Sequence, residues 1–407
     1  MRWEKVKLGD LANCIQPGPF GSQLHSSDYA DEGTPIIMPK DMIGGKISHQ
    51  DLIRVPDEHL QRLKRHQVFD GDLMVARKGD VRKCVYITEN ENGWLTGSDC
   101  LKVSLDKGKC YPKYIYYQLR SPFIGRWLET ISIGATMPSL NTGLLSGIEI
   151  SLPTIDEQMR IAEVLSSYDD LIENNQKQIK LLEEAAQRLY TEWFVDLRFP
   201  GHETTPITDG IPEGWKKDRA DAFFNMSIGK TPPRAEKQWF TDGGKGTPWI
   251  SISDMGNSGT YVFDTAEELT AEAISKHNVK VVPTDTVLVS FKLTVGRVSI
   301  TTTDMCTNEA IAHFLMSVSA MREYTYLYLK CFEYDSLGNT SAISKAVNSK
   351  IIKGMPFVMP DDVTIAQFHK IVKPILDAIK DKQNMNTKLA EARDRLLPKL
   401  MNGEIEV

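Results

Sequence analysis

SLNTGLLSGIEISLPTIDEQMRIAEVL, Ser139–Leu165, returns in weaker form as KAVNSKIIKGMPFVMPDDVTIAQFHKIV, Lys345–Val372. Asn141 maps to Asn348, Pro153 to Pro360, Leu182 to Leu389 and Arg188 to Arg395, and every pair is 207 positions apart. An offset that survives over about 50 residues means that one unit has been used twice. The unit has an order, a β-like globular module followed by a long helix. A chain built this way is two-ended, and a two-ended chain reads two sites.

The helix is the clearer half of the unit. Thr154 and Glu157 have the spacing of a capping box, with Pro153 just outside it. Apolar positions follow at Ile161, Val164, Leu165, Tyr168, Leu171, Ile172, Ile179, Leu182, Ala186, Leu189 and Trp193. Steps of three and four define a helical seam, and Asn175 and Gln176 place polar groups in its middle. About 36 residues at ~1.5 Å each would span ~54 Å. The second copy starts near Asp361 or Asp362 and carries Phe368, Ile371, Ile375, Ile379, Met385, Leu389, Ala392 and Leu396. Pro374 predicts a kink or a later true start. Two apolar stripes do not stand in water alone. The second helix is therefore expected to fold back antiparallel on the first, giving a pseudo-two-fold dumbbell with its termini close together. Two separate tandem domains, each with an ordinary C-terminal helix, are the other arrangement. The shared offset across both seams favours pairing.

The modules read as short strands. TPIIMP, GDLMVAR, KCVYIT and DCLKVSL are β-rich runs bounded by Gly, Asp or Pro, with a short helix expected around Tyr111–Leu119. The openings WEKVKLGDLAN at Trp3 and WKKDRADAFFN at Trp215 are parallel. TPIIMPKDM at Thr34 is answered by TPWISISDM at Thr247, GDLMVAR at Gly71 by DTVLVSF at Asp285, and GSDCLKV at Gly97 by TNEAIAHF at Thr307. The Pro-, Gly- and Thr-rich segment around 199–215 is the boundary. The expected organisation is a module over 1–153, a helix over 154–198, a linker over 199–214, a second module over 215–360 and a second helix over 361–407. The fold class is α+β: two β-rich domains separated by two long antiparallel helices, a coiled-coil spacer.

The bulk numbers fit this reading. A chain of 407 residues needs more than one core, and 41% apolar with 25% charged residues is the balance of a soluble protein. No run approaches the ~20 apolar residues of a membrane span, and MRWEKVKLGDL lacks the apolar core of a signal peptide, so a cytoplasmic location is expected. Six cysteines without a CxxC pair read as free thiols. A net charge of −6 argues against nucleic acid only if charge is averaged over all faces. Arg62, Lys64, Arg65 and His66, and then Arg77, Lys78, Arg82 and Lys83, are basic runs, as expected of an acidic body with basic reading faces.

Catalytic patterns are missing. GKT at Gly229–Thr231 resembles the end of a phosphate-binding loop, but Phe224 stands where that loop needs glycine, and Pro232 and Pro233 block the helix that must follow. There is no GxGxxG after a strand, no GxSxG, no HExxH, no Asn-Pro-Pro-Tyr-like tetrapeptide and no Glu-x-Lys pair. His59 and His66 are too far apart for one helical metal face. A duplicated chain without a catalytic constellation or metal site reads as a recognition or scaffold protein. Met42, Trp94, Trp239 and Trp249 are expected in module cores rather than as stacking platforms.

GPFGSQL at 18–24, MPSLNTGLLSGIEISLPTIDEQMRIAEVL at 137–165, GKTPPR at 229–234 with TPWISISDM at 247–255, and RLLPKLMNGEI at 395–405 together resemble the specificity subunit of type I DNA restriction-modification enzymes, over essentially the whole chain. In that family GPFGS and GKTPPR are opening loops of two target-recognition domains, and LPxxxEQ leads into the central helix. Leu152, Pro153, Glu157 and Gln158 match that pattern. The second copy departs, with Ile365 in the place of Gln158 and Gln367 two residues late, which predicts a weaker cap. The resemblance implies that each module reads half of a split double-stranded DNA target, that the paired helices set the distance between halves, and that the chain catalyses nothing itself. It also implies two methyltransferase subunits bringing S-adenosylmethionine, and restriction subunits bringing ATP and Mg²⁺. The modules differ in sequence, so the target should be asymmetric. A structural protein whose coiled coil is the working part, without DNA preference, is the competing reading.

Base and phosphate contacts need Arg, Lys, Asn or Gln on exposed loops. The candidates in the first module are Ser22 and Gln23 after Gly21, and Arg77, Lys78, Arg82 and Lys83 in RKGDVRK, which has the character of a hairpin tip. In the second they are Lys230 and Arg234 in the counterpart of the first loop, and Lys292 and Arg297 in the counterpart of the hairpin. Changing Arg82 and Lys83 together to Ala is expected to weaken DNA binding and to flatten its salt dependence by up to ~0.9 per lost phosphate contact.

Overall fold

The computed structural model describes residues 3–131, 139–337 and 347–407. Met137 and Pro138 of the motif quoted above lie outside the described residues. Two compact units emerge, Met1–Leu171 with Lys388–Val407, and Ile172–Thr387. Each takes one module together with part of both long helices, so the helices are shared rather than forming a separate domain.

In the first unit, strand Glu4–Lys7 runs antiparallel to Glu149–Leu152 and closes the two ends of the module on each other. An antiparallel sheet follows in the order Ala12–Pro17, Cys100–Leu105, Leu73–Ala76, Cys84–Tyr86. A smaller sheet holds Ile53–Val55, Thr34–Ile37 and Leu95–Thr96, the last pair parallel. Leu73–Ala76 is apolar and buried at every position, as a central strand covered on both faces must be. Helix Pro112–Leu119 packs beneath, and Tyr114 Oη donates to the Ser151 carbonyl at 2.7 Å.

The second unit repeats these choices. Lys216–Arg219 pairs antiparallel with Pro356–Met359. Asn225–Ile228, Ile311–Leu315, Val287–Ser290, Val298–Thr301 and Tyr261–Val262 make the larger sheet. Phe240–Thr241, Glu267–Leu269, Thr247–Ile250 and Cys306–Thr307 make the smaller one. Tyr324 Oη donates to the Val358 carbonyl, the counterpart of the Tyr114–Ser151 bond 207 positions on at the acceptor. Asn141 caps the short helix Thr142–Ser146 through the Leu144 N–H, and Asn348 caps Ser349–Lys353 through the Ile351 N–H. The repeat seen in the letters is thus a repeat of individual hydrogen bonds.

The first long helix spans Ile155–Tyr190 and closes with a π-helical turn, Thr191–Val195. Its capping box forms as the spacing requires: Glu157 Oε2 accepts from the Thr154 N–H at 3.0 Å, and the Thr154 hydroxyl accepts from the Glu157 N–H at 3.4 Å. The second long helix is continuous over Asp362–Met401 and does not start late at Pro374. Pro374 lies on the exposed side, where water can satisfy the carbonyl that the missing N–H leaves free. The cap of this helix is not weakened either. Asp361 and Thr364 occupy the places of Thr154 and Glu157 with hydroxyl and carboxylate exchanged: Asp361 Oδ1 accepts from the N–H groups of Val363 and Thr364, both at 3.0 Å. Its other oxygen accepts the Thr364 hydroxyl at 2.7 Å and the Trp215 indole N–H at 3.0 Å. Ile365 is buried where Gln158 bridges Tyr111 and Pro153, an apolar contact in place of a polar one.

The helices pair antiparallel inside each unit. In the first, Ile161, Ala162 and Leu165 share a core with Leu397, Leu400 and Met401, while Arg393 binds Asp169. In the second, Asn175 meets Asn386 and Trp193 meets Phe368. The segment after the first helix is structured: Phe199 is buried against Trp215, and Ile207–Thr208 pairs with Ile211–Pro212. Met42, Trp239 and Trp249 are buried, and Trp94 is partly buried against the first module's core. The six cysteines are free.

Candidate nucleic-acid interface

Each module bonds its opening loop to the strand beside its central hairpin. Gly18 donates its N–H to the Cys100 carbonyl at 3.0 Å, and Gly229 does the same to Ile311 at 3.1 Å. Neither position has room for a side chain. A Cβ at Gly18 would lie 1.9 Å from the Gly97 carbonyl oxygen, and one at Gly229 would lie 2.2 Å from that of Asn308. Glycine is therefore needed in both loops for close backbone approach, which also explains the GKT of the second module without a phosphate.

The hairpins close with the same backbone bond. The Ala76 N–H donates to the Lys83 carbonyl and the Ser290 N–H to that of Arg297, both at 2.9 Å. The Lys83 ammonium donates to the Pro39 carbonyl at 2.9 Å, and the Arg297 guanidinium to the Ile252 carbonyl at 2.5 Å. Pro39 and Ile252 hold matching places in TPIIMPKDM and TPWISISDM. Lys83 and Arg297 thus tie each hairpin to the neighbouring loop of its own module.

The other candidates sit at the loop–hairpin junction. In the first unit the Arg77 guanidinium lies 5.7 Å from the ring centre of Phe20, which is 55% exposed, so RKGDVRK and GPFGS meet there. Lys78 pairs with Asp99 at 3.0 Å. Arg82 pairs with Asp80 at 3.0 Å and Glu129 at 3.3 Å. Gln23 is half-buried in the 3₁₀ turn Gly21–Gln23, and the side chain of Ser22 lies outside the described residues. In the second unit Arg234 binds both oxygens of Glu267, at 2.8 and 2.6 Å, and lies 4.5 Å from the ring centres of Phe240 and Trp249. Lys230 is exposed, and its carbonyl accepts the Trp249 indole N–H at 3.2 Å. Exposed Lys292 lies 5.6 Å from the Phe291 ring centre. Burial pulls the Glu309 carboxyl upward, but the Thr231 hydroxyl bond and the charges of Lys292 and Arg234 outweigh it and hold it below the usual range. The loop is bonded to Glu309 through the Thr231 hydroxyl, and Lys292 and Arg234 both act on that carboxylate.

These faces are not the plain basic surfaces expected from the runs of Lys and Arg. Carboxylates distant in sequence, Asp99, Glu129, Glu267 and Glu309, are interleaved with the cations. Exposed pairs of this kind contribute ~0–1 kcal/mol each, so exchanging a carboxylate for a phosphate costs little. Among the described residues no group of three or more His, Cys, Asp or Glu side chains is placed to hold a metal ion, and no helix is long and apolar enough to cross a membrane.

Comparison with known proteins places this architecture. The type I restriction enzyme MjaIX specificity subunit of Methanocaldococcus jannaschii is 26% identical, over 100% of this chain and 98% of its own length. The type I restriction enzyme HindI specificity subunit of Haemophilus influenzae is 22% identical, over 99% of both. The crystal structure of the type I restriction-modification system S subunit from M. genitalium superposes with a TM-score of 0.59 at 15% identity, covering 98% of this chain and 96% of that one. The family described as the type I restriction modification DNA specificity domain matches residues 1–184 and again 212–391, one match for each copy of the repeat. The chain belongs to this family.

Proposed function

We propose that this chain reads a bipartite, asymmetric DNA sequence, one half per module, with the two long helices setting the interval between halves. Two methyltransferase subunits dock on it and bring S-adenosylmethionine. Restriction subunits add ATP and Mg²⁺. The chain's own part is recognition. The observation that carries this reading is the duplicated junction of opening loop and hairpin: one backbone scaffold presents Phe20, Arg77, Lys78 and Arg82 in one module, and Lys230, Arg234 and Lys292 in the other. A shared scaffold with different side chains is what two unlike half-sites require.

The test is single-molecule methylation mapping of DNA from cells carrying the chain with its partner subunits. A gapped adenine-modified motif is expected. Exchanging residues 215–360 for those of a relative should change one half of that motif and leave the other intact. No modified motif, or both halves changing together, would reject the reading in favour of a scaffold without DNA preference.

A further inference from the structure

Among the described residues only two leucines adopt a left-handed backbone, Leu197 at φ 57° and Leu293 at φ 62°. The remaining non-glycine cases are Asp or Asn, which tolerate that region. Leu197 packs against the second unit's core, which explains its conformation. Leu293 has no such explanation, being 94% exposed. The first module's hairpin has glycine, Gly79 at φ 78°, in the corresponding place, with nothing within 4 Å of where a Cβ would stand. Folding alone would favour glycine at 293 as well. A large apolar side chain in water on a strained backbone opposes stability on two counts.

The tip carrying it is rigidly held. The buried Ser290 hydroxyl donates to the Thr294 carbonyl at 2.5 Å and accepts from the Arg297 N–H at 3.0 Å. The Gly296 N–H donates back to the Ser290 carbonyl at 2.9 Å. Lys292 precedes the leucine on the exposed tip, and it and Arg234 both act on Glu309, whose carboxylate is bonded to Thr231 of the 229–234 loop. An apolar point held beside an exposed ammonium is complementary to a polyanion whose interior is an apolar stack.

We propose that Leu293 is a wedge that enters the base stack of the half-site read by the second module, with Lys292 on the flanking phosphate; this rests on the DNA-reading function proposed above. Apolar side chains partly unstack the step they enter, and pyrimidine–purine steps yield most easily. Leu293 then contributes specificity at a step without touching a base edge. The first module, with Gly79 at its tip, reads its half without this device.

The experiment uses the complete methyltransferase–specificity complex and L293G, whose glycine suits the left-handed backbone and so preserves the tip. Once mapping has supplied the motif, 2-aminopurine is placed in turn at each position of the two half-sites except the methylated adenines. The wild-type complex should brighten one position in the second module's half several-fold. L293G should abolish that signal and weaken binding by about tenfold, the effect of losing one side-chain–base stacking contact. Its salt slope should stay unchanged because no phosphate contact is lost. Equal brightening by both complexes, or brightening by neither with the same motif methylated, overturns the wedge. Failure of L293G to assemble with the methyltransferase subunits, seen by gel filtration, makes the residue a protein contact and also overturns it. If the wild-type complex methylates no motif, the DNA-reading function itself falls and takes the wedge with it.

Discussion

Asn175 donates from its side-chain amide to the Oδ1 of Asn386 at 2.9 Å, joining the two long helices at a position that interrupts both apolar seams. Asn175 is buried and Asn386 half-buried, so losing Asn386 leaves the buried Asn175 amide short of a partner, whereas water can reach Asn386. N386L should lower stability by ~1–3 kcal/mol, while N175L with N386L should recover most of it, because replacing both partners removes the unmet group. Denaturant unfolding of the four proteins in a double-mutant cycle measures the coupling. Additive effects would show that the bond is incidental.

Arg82 and Lys83, adjacent in sequence, have different jobs. Arg82 is held by exposed carboxylates, whereas Lys83 is bound to the Pro39 carbonyl. R82A should leave the melting temperature nearly unchanged and reduce the salt slope of DNA binding by up to ~0.9. K83A should lower stability by ~1–3 kcal/mol, and R297A should do the same in the second module. Thermal scans together with salt titrations separate the two behaviours.

His313 is fully enclosed between the Ser227 and Thr307 hydroxyls, each 2.7 Å from a ring nitrogen, and burial pushes its pKa down to about 4. The unfolded chain keeps the ordinary value of 6.5 and so takes up the proton first. The stability contributed by the neutral ring is complete above pH 6.5 and is lost as pH falls toward 4, by an amount on the order of 3 kcal/mol. Buried His66, also shifted downward mainly by desolvation, adds to the same trend in the first module. Unfolding free energy measured between pH 7 and 4 should fall, and H313Q should flatten part of that slope.

Asp361 caps the second long helix and also holds Trp215. D361A should cost ~0.5–2 kcal/mol of stability. D361T with T364E recreates the arrangement at Thr154 and Glu157 and should restore the cap but not the indole bond. Thermal unfolding of the two variants tests this, and equal melting temperatures would contradict the exchanged-cap assignment.

The two-module plan was legible because it rests on local periodicity and repetition. The capping box at Thr154, the seam residues and the strand runs each declare themselves within a few residues. The weaker second cap expected from Ile365 does not occur, because the exchange of Asp361 and Thr364 keeps the cap's hydrogen bonds while changing the letters. Of the two outcomes expected at Pro374, the late start does not occur, because a missing N–H ends a helix only where nothing else can satisfy the carbonyl it leaves. In the candidate interface, the basic runs identified the hairpins. They did not show that Lys83 and Arg297 turn to their own backbone, or that Glu267, 33 residues from Arg234, holds it.

By itself the sequence determined that one unit is repeated, that each copy ends in a long amphipathic helix, and that each module carries a glycine-bearing opening loop and a hairpin with basic residues. Those properties follow from spacing, which the chain carries in one dimension. Only tertiary structure decided which cations are exposed, which carboxylates oppose them, and that the second hairpin holds an apolar residue outward on a left-handed backbone. Charge pairing and exposure depend on distances between segments far apart in the chain, and those distances exist only once the sheets have formed.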